Sequence, residues 1–311
     1  MGASYDDLLA AARTTAECGF DAFFRSDHYL TFGAWAWADY PAGGLPGPGD
    51  AWVSLAGLAR ETKHVRLGTL VNSCTFRLPG PLAITVAQVD AMSGGRVELG
   101  IGTGWYEAEH RAYGIPFPPL KERFDRLQEQ LAIITGLWTT PIGTPFSFLG
   151  THYQLTDSPG LPKPVQQPRP PIVIGGSGTR RTPQLAATYA DDFNAGNMTP
   201  DDGAAQFARV RAACEAQGRD PSTIVYSTAH PVCCAQDPAA LRRRAAAQHG
   251  YLDHMRQRGA FFGTPAEILD QLARWHKAGA QRVYFELVDL SDLDHIREIA
   301  ETVLPAARDI R

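Results

Sequence analysis

Short apolar strands alternate with amphipathic helices along almost the whole chain of 311 residues. The pattern predicts about eight helices and seven strands. Alternation of this kind implies that the strands pair in parallel through right-handed crossovers. We therefore predict an α/β fold of the (β/α)8 TIM-barrel type, which has eight of each element and about 250 residues. A doubly wound open sheet is the structural alternative.

The strand that should precede the first helix is missing from the pattern, because Ser4 already caps that helix. We expect either that the chain is truncated at its N-terminus or that the barrel is open or patched at this point. The remaining pattern predicts a single domain over residues 1–311, with an insertion at about 106–170 between strands 4 and 5. Within the insertion, alternation around Gly150 predicts a small hairpin or an edge strand.

Two glycine-rich turns, Gly100–Trp105 and Gly175–Arg181, follow apolar strands. Such turns present backbone N–H groups at helix N-termini, where phosphate binds. The first turn reads G-I-G-T-G-W and departs from the dinucleotide fingerprint. The second is the better anion cradle, because Ser177, Arg180 and Arg181 add hydroxyl and guanidinium donors. Its arginines also suit an acidic tail on a cofactor, and a tight turn with two solvated arginines is the structural alternative.

Composition excludes several classes of partner. The formal net charge of -4, without a long basic run, argues against nucleic acid or an anionic membrane surface. No stretch approaches the roughly 18 apolar residues of a membrane span, and the N-terminus lacks a signal-peptide pattern. The 5 cysteines form no Cys-x-x-Cys pair, which predicts reduced thiols in a cytoplasmic protein rather than disulfides or structural zinc.

Polar side chains at the ends of the predicted strands are the candidates for chemistry, because β/α barrels place their active sites there. Asp27 and His28 are the best acid/base candidates, since histidine titrates near neutrality and a carboxylate can orient it. A structural histidine is the alternative. His230 and Glu286 follow other strands without metal-ligand spacing, so we predict no metal site. The long loop at 33–49, rich in Gly, Pro and Trp, is predicted to be a lid.

The order of these motifs resembles the bacterial luciferase-like superfamily, and within it the oxidoreductases that depend on the deazaflavin coenzyme F420. The resemblance covers nearly the whole chain. The segments that carry it are, in chain order, Gly19–Asp21, Ser26–His28, Arg66–Thr69, Leu78–Pro79 with Gln88, Ser93–Trp105, Tyr113–Phe117, Arg123–Phe124 and Pro171–Gly176.

The resemblance implies a (β/α)8 barrel, a homodimer, a small-molecule substrate and coenzyme F420, with FMN as the alternative cofactor. It implies that His28 faces the reacting carbon and that the peptide bond between Leu70 and Val71 is cis. The implied cofactor contacts are Asp27, Leu70, Val71, Asn72, Thr103, Gly104, Gly175, Gly176, Ser177, Gly178 and Arg180. The expected substrate pocket contains Trp35, Cys74, Trp105 and Met198.

The sequence departs from the family pattern at two places. Trp105 stands where the related sugar-phosphate dehydrogenases have an acidic residue, so an apolar or aromatic substrate is favoured over a sugar phosphate. The first strand is absent. The expected activity is hydride transfer between F420 and a small organic substrate. The alternatives are an FMN-dependent monooxygenase that uses reduced flavin and oxygen, a non-catalytic flavin-binding relative, and a metal-dependent barrel lyase.

Overall fold

The computed structural model describes residues 3–30, 49–248 and 255–310. The chain forms two compact units, one of Phe23–Ile174 and one that combines Ala3–Ala22 with Gly175–Arg311. The helices α1 to α11 are Tyr5–Glu17, Ala51–Glu61, Pro79–Ser93, Glu107–Ala112, Leu120–Thr139, Arg181–Tyr189, Pro200–Ala216, Pro238–Ala247, Pro265–Lys277, Leu293–Thr302 and Leu304–Ala307. The strands β1 to β11 are Ala22–Arg25, Arg66–Thr69, Asn72–Ser73, Val97–Gly102, Phe146–Leu149, Gln154–Ser158, Ile172–Gly175, Asp192–Asn194, Val225–Cys234, Phe261–Gly263 and Arg282–Glu286.

The Phe23–Ile174 unit is built on the sheet order β1, β2, β4, β7, with β3 beside β4. Strands β2, β3 and β7 all pair with β4 in parallel. All six residues of β4 are buried, which is typical of a parallel strand covered on both faces. Helix α3 packs against α2 and α5. The carboxyl ends of these strands consequently lie along one edge of the sheet.

Gly100 lies in the middle of β4, where the neighbouring backbone leaves no room for a side chain. A Cβ atom at this position would lie 1.9 Å from the carbonyl oxygen of Thr69. The Thr69 hydroxyl in turn donates to the carbonyl of Gly100 at 2.8 Å. This glycine is therefore required for close contact between β2 and β4.

The second unit is built on the ten-residue strand β9, with which β8, β10 and β11 all pair in parallel. Its register sets Phe193 opposite Tyr226 and Phe285 opposite His230. Helix α6 packs against α7, and α1 packs against α10. Among the described residues, every helix is too short or too polar to cross a lipid bilayer.

Several predicted local features are confirmed. Ser4 caps α1 and Thr264 caps α9, each with a reciprocal capping box. The hairpin is present as the antiparallel pair β5 and β6. The strand predicted at 65–71 is split into β2 and β3, and the Leu70–Val71 peptide bond between them is cis. The sequence did not predict α4, α8 or β10.

Candidate active site

His28 follows the carboxyl end of β1, and its ring is held by a buried carboxylate from α4. The Nδ1 atom lies 3.0 and 3.2 Å from the two carboxylate oxygens of Glu109. Glu109 is 1% exposed and also accepts the backbone N–H of Tyr29 at 2.8 Å. A carboxylate can only accept hydrogen bonds, so Nδ1 carries the hydrogen in this pair. The proton that neutral His28 can take up therefore binds at Nε2.

Aromatic rings border His28. The rings of Trp105 and Tyr106 meet the imidazole edge-on, with centroids at 5.8 and 6.3 Å. Trp105 stacks on Tyr106 at 5.1 Å and is 64% exposed. The His28 side chain keeps 14% of its surface exposed. The structure therefore places Trp105 beside His28, and its role in a substrate pocket stays a prediction.

Asp27 has a different environment from its neighbour in sequence. Its carboxylate accepts hydrogen bonds from Arg77 at 2.5 and 3.2 Å and from the backbone N–H of Ala51 at 3.3 Å. The residue is 1% exposed. Both oxygens thus meet protein groups, and Asp27 anchors Arg77 and the start of α2. The structure corrects the expectation that this carboxylate is directed at a cofactor ring.

Arg77 forms hydrogen bonds to several polar groups of this region. One guanidinium nitrogen donates to Asn72 at 2.5 Å, and the other donates to Asp50 at 2.5 Å and to the Tyr29 hydroxyl at 3.3 Å. Burial lowers the pKa of Arg77, but the hydrogen bonds and charge of Asp27, with the charge of Asp50, outweigh it and raise the pKa. The guanidinium is permanently charged and organises the strand ends.

The side chain of Asn72 also forms its hydrogen bonds to other groups of the protein. Its side-chain oxygen accepts from Arg77 and from the Trp52 indole at 3.3 Å, and its amide donates to the carbonyl of Ser73 at 2.9 Å. The residue is fully buried. It supports the backbone that follows the cis peptide, and its side chain is not presented to a ligand. The predicted direct contact is therefore corrected to a supporting one.

Cys74 lies in the interior and not in a pocket. It is 1% exposed, and its thiol donates to the carbonyl of Arg123. Burial raises the pKa of the thiol to about 12, so it is protonated at neutral pH. The prediction that Cys74 lines the substrate pocket is wrong, because β3 turns this side chain towards α5.

The first glycine turn is closely packed. A Cβ atom on Gly104 would lie 2.2 Å from Ser73 Oγ, and φ at this glycine is +75°. Arg123 on α5 binds the carbonyl oxygens of Thr103 and Gly104. The turn thus holds the end of β4 against β3. Thr103 is half-buried, while Leu70 and Val71 are partly exposed at the adjacent strand end.

The second glycine turn, after β7, has the properties of an anion cradle. Gly176 has φ of +138°, and Gly176 and Ser177 are exposed. Helix α6 starts at Arg181 without a side-chain cap. Within the described residues, no protein acceptor takes the N–H of Ser177, Gly178 or Thr179. These donors lie in the glycine-rich loop just before the N-terminus of α6, and that arrangement suits a phosphate group.

Gln206 on α7 holds this turn from behind. It is 1% exposed, and its amide donates to the carbonyls of Gly178 at 2.8 Å and Gly176 at 3.3 Å. Because the carbonyls are engaged on one side, the N–H groups of the turn point to the other side. Gly175 ends β7, and Arg180 is exposed on the turn. Sequence reasoning missed Gln206, which lies 28 residues beyond Gly178.

The remaining predicted site residues lie in different parts of the chain. Met198 and Ser177 both line a cavity of about 340 Å³ in the unit that contains Gly175–Arg311. Trp35 lies outside the described residues. Among the residues that are described, no group of three His, Cys, Asp or Glu side chains is arranged to bind a metal ion. His230 is buried in β9, where burial lowers its pKa to about 4.

The chain is similar in sequence to the members of one protein family. A family described as luciferase-like monooxygenase matches residues 1–260. The F420-dependent glucose-6-phosphate dehydrogenase of Microbacterium testaceum is 36% identical over 190 residues, which cover 60% of this chain and 52% of that protein. The F420-dependent hydroxymycolic acid dehydrogenase of Mycobacterium tuberculosis is 32% identical over 243 residues, covering 76% and 61%. The FMNH2-dependent dimethylsulfone monooxygenase of Pseudomonas putida is 34% identical over 146 residues, covering 45% and 39%.

Each of these matches spans less than two thirds of the relative's own length. Solved structures are similar over nearly the whole chain. An F420-dependent secondary alcohol dehydrogenase superposes with a TM-score of 0.80 at 20% identity, covering 99% of this chain and 96% of that one. The EDTA monooxygenase of Chelativorans sp. BNC1 gives 0.81 at 20% identity, covering 99% and 88%. Together with the family match, these likenesses confirm the predicted α/β fold class.

Proposed function

The chain belongs to the luciferase-like monooxygenase family, and from that premise we propose that it is an oxidoreductase that transfers a hydride between coenzyme F420 and a small organic substrate. The names of its relatives support this choice, because several are F420-dependent dehydrogenases. When bound, the deazaflavin supplies the hydride chemistry, and the protein supplies position and electrostatics.

The observation that carries the proposal is the pairing of His28 with Glu109. Hydride transfer to or from an alcohol carbon is accompanied by movement of the hydroxyl proton. Glu109 holds Nδ1–H at 3.0 Å, so Nε2 is the nitrogen that exchanges this proton. In the oxidation direction His28 takes up the proton at Nε2, and in the reduction direction it returns the proton. His28 is accordingly the catalytic residue of the proposal.

The turn Gly175–Gly178 would bind the cofactor's phosphate. The support comes from donors on this chain alone. The N–H groups of the turn have no protein acceptor within the described residues, and Gln206 fixes their direction. The uncapped N-terminus of α6 adds a favourable dipole. Thr103, Gly104, Leu70 and Val71 remain proposed contacts for the ring and its polyol chain.

A second candidate is an FMN-dependent monooxygenase. It is favoured by the similarity to an FMNH2-dependent monooxygenase of Pseudomonas putida. The same residues would serve it, with reduced flavin and oxygen as co-reactants. The two candidates therefore differ in the cofactor that binds and in the need for oxygen, and not in the turn or in His28.

Titration of the protein with F420 and with FMN, each oxidised and reduced, distinguishes the two candidates. We expect micromolar or tighter binding of F420, and micromolar binding of FMN alone contradicts the proposal. Ser177→Asp places a negative charge on the turn and should weaken binding at least about tenfold. The matched control is Ser177→Asn, which has the same shape without the charge and should bind nearly as the wild type does.

A further inference from the structure

A cavity of about 340 Å³ adjoins the second glycine turn at Ser177. It continues from that residue along the N-terminal turn and first helical face of α7. Its lining includes Ser177, Asn197, Met198, Thr199, Arg209 and Arg258. Ligand pockets typically start at about 300 Å³, so the cavity is large enough for part of a small molecule.

Two arginines give this cavity its charge. Arg209 donates to the side-chain oxygen of Gln206 at 2.8 Å, and Gln206 in turn holds the carbonyls of the turn. Within the described part of the chain, neither Arg209 nor Arg258 pairs with a carboxylate. Asp202 also lines the cavity, and its carboxylate accepts the Thr199 hydroxyl at 2.8 Å. Two guanidiniums against one carboxylate leave a net positive charge.

We propose that this cavity binds the anionic chain that continues beyond the cofactor's phosphate, and that Arg258 and Arg209 recognise its carboxylates. The proposal rests on the proposed function. F420 carries a phosphodiester followed by an acidic tail, whereas FMN ends in a phosphate monoester. Guanidinium groups bind carboxylates in bidentate geometry, and Ser177 connects the phosphate turn directly to the cavity. The cavity is therefore the part of this chain that prefers F420 to FMN.

An anionic group on the substrate is the other source of the same chemistry. Continuity with the phosphate turn favours the cofactor, because Ser177 belongs to both the turn and the cavity. A substrate anion would leave the affinity for the cofactor independent of Arg258. Tail length of the cofactor is thus the variable that separates the two sources.

The test measures dissociation constants by quenching of F420 fluorescence and by calorimetry, with no substrate present. The ligands are F420 forms with several glutamates, a form without glutamate, and FMN. The proteins are the wild type, Arg258→Gln, Arg209→Gln and the control Arg256→Gln. Arg256 belongs to the same segment, is exposed and stacks on Phe262, and it does not line the cavity. Thermal unfolding checks that every variant is folded.

We expect the wild type to bind the long-tailed form about tenfold more tightly than the form without glutamate. A factor of this order is what one charge-assisted hydrogen bond contributes to affinity. Arg258→Gln should abolish most of this difference, Arg209→Gln should reduce it, and Arg256→Gln should preserve it. The difference should also shrink at high salt.

Equal affinity of the wild type for the two F420 forms overturns the proposal, and so does an unchanged preference in Arg258→Gln. In both cases the proposed function stands if F420 still binds and Ser177→Asp still weakens it. If no form of F420 binds, the proposed function and this inference fail together. If Arg256→Gln loses the preference as fully as Arg258→Gln does, the effect is a general one of surface charge and the assignment to the cavity is wrong.

Discussion

Replacement of Glu109 by glutamine should reverse the protonation pattern of His28 without unfolding the protein. The oxygen that accepts the Tyr29 N–H at 2.8 Å must remain an oxygen, because that backbone donor is fixed. The new amide nitrogen then takes the position that lies 3.0 Å from Nδ1. An amide N–H donates, so Nδ1 becomes the acceptor and the hydrogen moves to Nε2.

The magnitude follows from these contacts. The number of hydrogen bonds around position 109 is unchanged, so we expect the free energy of unfolding to change by no more than about 1 kcal/mol. The proton exchange at Nε2 is lost, and general acid–base catalysis of this kind contributes about 10²- to 10⁴-fold. Glu109→Gln should therefore lower kcat by that factor while leaving the dissociation constant of the cofactor nearly unchanged.

The assay is ¹⁵N NMR of the imidazole nitrogens, together with thermal unfolding and turnover. The wild type should show Nδ1–H, and Glu109→Gln should show Nε2–H. Glu107→Gln is the control, since Glu107 is an exposed residue on the same helix, and it should behave as the wild type does. Retention of Nδ1–H in Glu109→Gln, or wild-type turnover with the altered tautomer, would refute the reasoning.

Three further predictions concern stability and metal. Burial lowers the pKa values of His230 and His295 to about 4, against an ordinary 6.5. Between pH 4 and pH 6.5 the unfolded chain therefore binds more protons than the folded chain does. The free energy of unfolding, measured in urea, should fall by about 3 kcal/mol per histidine as the pH falls from 6.5 to 4. A free energy that does not change with pH contradicts this prediction. Gly100→Ala places a Cβ atom 1.9 Å from a carbonyl oxygen and should destabilise the protein by several kcal/mol or prevent folding. Gly80→Ala in α3, where a Cβ atom meets nothing within 4 Å, should stabilise it by about 0.5–1 kcal/mol. Equal melting temperatures of the two variants would contradict the close approach of the backbone to Gly100. EDTA should leave turnover unchanged, and inhibition that zinc or magnesium reverses would favour a metal-dependent lyase.

The elements that the sequence predicts well are those with a strong local signal. Ser4 and Thr264 carry capping boxes, and the apolar spacing of α9 and α10 follows the helical repeat. Helix α8 was missed because it buries none of its residues and so lacks an apolar stripe, although Asp237 and Pro238 mark its start. Strand β10 has only three residues and carries too little alternation to recognise.

The site is less predictable, because its contacts connect residues distant in sequence. Asp27 and His28 are neighbours in the chain, which suggested that they act as a pair. Adjacent side chains of an extended segment point to opposite sides, so Asp27 reaches Arg77 and His28 reaches Glu109. The separation of 81 residues between His28 and Glu109 hides their contact from a local pattern. The glycine turn Gly175–Gly178, in contrast, is encoded within a few consecutive residues.

Anaerobic turnover is the most direct test of the central claim. The protein is loaded with oxidised F420 and given a panel of small alcohols, and with reduced F420 it is given the corresponding carbonyl compounds. We expect F420 absorbance to change without oxygen, and we expect the rate of that change to be at least about 10²-fold lower in His28→Ala. Turnover that requires both reduced FMN and oxygen would contradict the proposed function. So would a His28→Ala variant that turns over F420 as fast as the wild type does.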